Sequence, residues 1–168
     1  MENSAAASTA LSSNAAAYAM LIAGLSVVVL AIAFIVWYVA QMVANWKLFK
    51  KAGEKGWKSI IPVYNIFTSY KIAWKPVWFW IYLVVNFAYL SFDSLAGAVS
   101  NSQTAATVLL AIAALLAIAS FVIWVMYNNK LAKAFGHGAG FTIGLIFLNP
   151  LFILILGFGR SEYVGADQ

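Results

Sequence analysis

Four apolar stretches, residues 15–44, 77–99, 105–127 and 141–158, alternate with polar connectors along the chain. About 20 apolar residues suffice to carry a helix across a bilayer. The first stretch has no charged residue and is long enough to cross with a tilt. Pro76 precedes the second, a favourable place for proline at a helix start. Val77-Trp78-Phe79-Trp80 then supplies an aromatic belt at the membrane surface. The connector Ser100–Thr104 is short and uncharged, which predicts that the second and third spans are antiparallel neighbours. The fourth stretch is at the lower edge of spanning length and is interrupted by Asn149-Pro150. The pattern predicts an all-α integral membrane protein, a four-helix bundle over residues 15–158.

The connectors differ in kind. In the first, Lys47, Lys50, Lys51, Lys55 and Lys58 recur at helical spacing with Trp46, Phe49 and Trp57 between them. That reads as an interfacial helix whose aromatic side enters the headgroup layer, or as a solvated basic loop. Gly53 and Gly56 should interrupt it with a turn. Ile60–Phe67 is apolar but too short to span, and is expected to be a re-entrant or interfacial segment. The second basic connector, Asn128–Gly140, contains Lys130, Lys133 and His137. Residues 1–14 are rich in Ala and Ser with Glu2 as their one charge, and read as a translocated tail. A secretory signal would need a basic flank and a shorter apolar core. Residues 159–168 form a polar C-terminal tail.

Charge orients this arrangement. Of 10 Lys and Arg, all but Arg160 fall within Lys47–Lys75 and Lys130–Lys133. Basic loops stay on the cytoplasmic side, so both termini are predicted outside a cytoplasmic membrane, with Arg160, Glu162, Asp167 and Glu2. A re-entrant fourth segment would instead bring the C-terminus inside. Hydrophobic residues make up 64% of the chain and charged residues 9%, against about 25% charged in soluble domains. The net charge of +5 lies beside apolar spans, which favours anionic lipid headgroups over nucleic acid as partner. Lys47, Lys50, Lys51, Lys55, Lys58, Lys130 and Lys133 are the expected headgroup contacts. With no Cys and a single His, disulfides, thiol nucleophiles and iron–sulfur ligation are excluded, and neither a conventional metal site nor a cofactor is expected.

The basic connectors also echo each other. Asn45, Lys47, Leu48, Lys50 and Gly53 match Asn128, Lys130, Leu131, Lys133 and Gly136 at identical spacing. Upstream, Phe34–Val39 resembles Phe121–Met126 with a gap of about one helical turn. A parallel repeat and a chance match between low-complexity apolar segments both fit.

Lys50-Lys51-Ala52-Gly53, Gly56-Trp57 and Ile61-Pro62-Val63-Tyr64-Asn65 resemble the first signature of a family of small prokaryotic membrane proteins of unknown function. Its second signature is matched by Leu131-Ala132-Lys133, Phe135-Gly136, Gly138, Gly140-Phe141, Gly144-Leu145, Phe147-Leu148, Phe152, Leu156-Gly157-Phe158-Gly159 and Tyr163. The resemblance covers about Trp46 to Tyr163 and leaves the first span as an addition. Some members are fused to signal peptidase I or bear that label. That chemistry uses a Ser nucleophile and a Lys base on the outer side of the membrane. Every Lys here is assigned to the inner side, and Arg160 cannot act as a base. The chain is therefore expected not to be an enzyme.

Trp78, Tyr82, Asn86, Tyr89 and Asp93 lie on one face of the second span. Polar groups at that depth need partners, so the face should look into the bundle, a cavity or another subunit. It reads first as a helix-pairing surface and alternatively as a solute path gated by Asp93. Ala19 with Ala23 and Ala113 with Ala117 form small-residue pairs that allow close helix contact. Gly136–Gly140 reads as a turn, with a phosphate cradle as the alternative, and His137 as a surface residue. The function expected is that of a structural or accessory subunit, or a homo-oligomer, in a membrane assembly. The alternatives are a small channel or transporter using the second span, and a lipid-binding accessory protein acting through Lys47–Lys58.

Overall fold

The computed structural model describes residues 2–99 and 102–166. Ser100 and Asn101 of the expected connector, Met1 of the expected tail, and Asp167 lie outside the described residues. The elements are α1 (Glu2–Lys51), a 3-10 turn (Gly56–Ser59), α2 (Pro62–Ala73), α3 (Val77–Ala98), α4 (Gln103–Ala134), α5 (Ala139–Phe147) and α6 (Asn149–Phe158). The described chain is all-α. Three helices are long and apolar enough to cross a membrane: α1 from Tyr18, α3 and α4. The 22 residues of α3 reach about 33 Å, the thickness of a hydrocarbon core.

Residues 1–40 and 41–168 are two compact units. In the first, the helix starts at Glu2 rather than at residue 15, in keeping with the high helix propensity of its alanines. Every side chain from Tyr18 to Val39 is exposed. The second unit is built on the antiparallel α3/α4 hairpin, against which α2 and α5 pack. Its core lies at one end and consists of Ala44, Leu48, Phe49, Ile72, Ala73, Leu131, Ala132, Ala134, Phe135, Leu145, Ile153 and Leu156. Ala113 is buried on the half of α4 that pairs with α3 and Ala117 is half-buried there, so this small-residue pair serves the hairpin itself.

Two expectations are corrected. Lys47–Lys51 is not part of a separate interfacial helix, because α1 runs through it and Phe49 is fully buried in the core instead of facing headgroups. Nor is residues 141–158 one spanning helix. Pro150 lacks an amide hydrogen and cannot continue a helical ladder, so the segment breaks at Leu148 into α5 and α6. At nine and ten residues, these reach only about 14 and 15 Å. They fold against each other, and Gly144 makes room for the Phe152 ring, with which a β-carbon would collide.

The hairpin brings the chain back to the end it left. The Val164 amide donates to the Ala134 carbonyl at 2.8 Å, and the Tyr163 hydroxyl to the Ile72 carbonyl at 2.9 Å. Arg160 and Glu162 therefore share an end of this unit with Lys51 and Lys133. The sequence reading separated that tail from the lysines by a membrane crossing, and the geometry reverses it.

Candidate functional site

The basic end is organised by two identical helix stops. Gly53 and Gly136 have φ of 76° and 73°, the left-handed region that glycine enters without a steric penalty. At the first, the Gly53 amide donates to Lys50 and the Glu54 amide to Phe49; at the second, Gly136 donates to Lys133 and His137 to Ala132. Both patterns satisfy carbonyls that a helix end leaves orphaned. Asn45 and Asn128 each donate to the carbonyl four residues earlier, and Leu48 and Leu131 are 1% and 0% exposed. The sequence echo is thus repeated in backbone and side-chain structure. In the Gly136–Gly140 run, the first two amides are committed to the stop and the last residues open α5.

Most of the lysines expected at headgroups have protein partners. The Lys51 ammonium donates to the carbonyls of Leu156 and Gly159 at 2.6 and 2.8 Å, placing a cation at the negative end of α6. Lys58 and Lys71 each lie 2.6 Å from the Glu54 carboxylate. The hydrogen bond from Lys58, then that from Lys71, holds the Glu54 pKa below its ordinary value of 4.5. Lys47 sits 4.2 Å from the Phe158 ring centre, Lys50 5.9 Å from that of Trp46 and Lys130 5.6 Å from that of Trp74. Lys55 and Lys133 are exposed.

The C-terminal tail is strapped across this end. His137 hydrogen-bonds Ser161 at 2.8 Å and stacks on Phe141, so it holds the tail instead of standing as a plain surface residue. Tyr163 packs edge-on against Phe135, and burial raises its phenol pKa, keeping it a donor to Ile72. Inside, the fully buried Asn128 accepts from Asn149 at 2.8 Å, tying α4 to the start of α6.

The expected stripe on α3 is divided. Trp78 and Tyr82 pack with Tyr70, Phe79, Ile123 and Tyr127. Asn86 donates to the Tyr82 carbonyl of its own helix, Tyr89 is half-buried, and Asp93 is exposed. Tyr82 instead joins Asn65, Ile66, Ser69, Tyr70, Trp124 and Tyr127 around a cavity of about 230 Å³ between α2, α3 and α4. Tyr70 lies between two other phenols, with ring centres 4.6 Å from Tyr127 and 5.8 Å from Tyr82. Burial, reinforced by these neighbours, pushes the Tyr70 phenol well above its usual range, so it is a neutral donor. Sequence reasoning missed the α2 and α4 walls, although Asn65 with Ser69 and Trp124 with Tyr127 stand at facing spacings.

Three long apolar helices, a tightly stapled basic end and an aromatic cavity describe a helical protein of membrane type. No curated protein and no solved structure matches the chain. The sequence model of DUF5684, a family of unknown function, matches residues 57–166, and the chain belongs to that family. The match ends close to the resemblance read from the sequence and begins later, at Trp57, leaving all of α1 outside it.

Proposed function

We propose that this is a non-enzymatic protein of the cytoplasmic membrane that associates with other membrane helices, as an accessory subunit or a homo-oligomer. The supporting observation is α1 between Tyr18 and Val39: apolar around its whole circumference and exposed at every position. A helix of that kind is at home in lipid, where it can pair through close-packed small residues such as Ala19 and Ala23. In this reading α1, α3 and α4 cross the bilayer, while α5 and α6 dip in and return to the lysine-rich cytoplasmic face. The lysines are bound to carbonyls, a carboxylate and rings, which favours a scaffolding use over a peptidase base. The path reading of α3 gains no support from Asn86, which bonds its own backbone beside an apolar groove.

Size measurement in mild detergent tests the proposal. A defined oligomer, or co-purification with a membrane partner that is lost when residues 18–39 are replaced by a poly-leucine helix, is the expected result. A monodisperse monomer from native membranes overturns it.

A further inference from the structure

The cavity between α2, α3 and α4 opens onto a second feature. Ile66 and Tyr82 also line an apolar groove of about 490 Å³ that continues along α3 past Phe79, Leu83, Phe87 and Leu90. No charged side chain lines either space. One end therefore offers hydroxyls and aromatic faces, and the other is hydrocarbon apart from Asn86, whose amide is bonded to its own helix.

The polar end is incompletely satisfied. Ser69 uses its hydroxyl hydrogen on the Asn65 carbonyl, and the Asn65 amide donates to the Ser59 carbonyl. Tyr70 is only 3% exposed and lines the cavity, yet among the described residues neither its hydroxyl nor that of Tyr82 has a hydrogen-bond partner. A phenol that faces a cavity and is not engaged with protein can donate to an acceptor seated there, and two such donors among aromatic faces suit one uncharged acceptor. An ionised head would lose its hydration here without a counter-charge.

We propose that this pair of spaces binds one membrane amphiphile with an uncharged, carbonyl-bearing head and a long hydrocarbon tail. The head accepts hydrogen bonds from Tyr70 and Tyr82 beside Trp124 and Tyr127, and the tail lies in the groove along Leu83, Phe87 and Leu90. A glycerolipid ester and a membrane quinone share this chemistry.

Native mass spectrometry of the full chain in detergent, titrated separately with monooleoylglycerol, decylubiquinone and hexadecane, tests it. One equivalent of monooleoylglycerol, decylubiquinone or both should be retained, and the one held more tightly identifies the source. Tyr70→Phe with Tyr82→Phe should weaken that binding about tenfold by removing two hydrogen bonds. Leu83→Trp, on an exposed helix face that tolerates bulk, should block the tail and abolish binding while α3 and α4 stay folded by circular dichroism. Equal retention of hexadecane, no loss in the Tyr double variant, or no retained probe would each overturn the assignment. The readout is independent of oligomeric state, so it stands or falls separately from helix association.

Discussion

The two ends of the α3/α4 hairpin are built on different principles. At the basic end, buried Leu, Ile, Phe and Ala side chains from five helices interlock, and polar groups clamp the backbone: Lys51 on α6, Tyr163 on α2, Asn149 on Asn128. Toward the loop joining α3 to α4, Ala96 and Ala113 are buried, while Leu90, Leu95, Val108 and Leu110 are exposed. On the proposed membrane placement, the contrast follows from the solvent on each side. Lipid is as apolar as leucine and gives no hydrophobic drive for helices to bury one another, so the positions fully covered toward that loop are small ones, Ala96 and Ala113. Chain that leaves the hydrocarbon meets water, where hydrophobic burial and hydrogen-bond geometry can specify one packing. The packing of this unit is decided at its basic end.

Substitutions at matched glycines should break this comparison most sharply. A β-carbon on Gly157 would strike the Ala44 backbone, whereas one on Gly97 meets open space. Gly157→Val should cost about 3 kcal/mol or more, by overpacking against rigid backbone. Gly97→Ala should leave the thermal midpoint in detergent unchanged or slightly raised. Next in size, Lys51→Met removes both hydrogen bonds at the end of α6, at roughly 2 kcal/mol for a charged donor. Limited proteolysis should then cut residues 159–166 faster while leaving α3 and α4 intact.

The glycine stops sharpen the comparison further. Gly53→Ala and Gly136→Ala each force a β-carbon into a left-handed conformation and should destabilise by about 1–2 kcal/mol apiece. Equal values would mark the two stops as equivalent; a large inequality would mark one as ornamental. Smallest is Glu54. Its pKa is depressed in the folded chain, so its contribution is complete above the unfolded value of 4.5 and disappears as pH falls through the lower folded value. Between pH 6 and pH 3 the wild-type chain should lose up to about 1 kcal/mol that Glu54→Gln does not, measured by urea unfolding in detergent micelles.

Length and hydropathy made three helices legible in the sequence, because crossing a bilayer demands a continuous run. The same criterion misjudged residues 141–158, where the apolar count reached spanning length but Asn149-Pro150 set a break that the neighbouring α1 and α4 could accommodate. The glycine echo was visible as spacing and became meaningful only once both glycines proved to share one backbone conformation. Lys51 looked like every other lysine in its cluster, and nothing local distinguishes a cation destined for carbonyls at Leu156 and Gly159, more than a hundred residues away. Tyr82 was identified as a member of a polar face. Its partners Tyr70 and Tyr127 come from different helices, and no periodicity within one helix encodes them.

Because α1 and α4 each halt at a glycine of fixed geometry, the connector after each begins from a set backbone direction. A residue inserted just upstream of either stop, between Leu48 and Gly53 or between Leu131 and Gly136, would turn the buried leucine about 100° out of the core while leaving the stop itself intact.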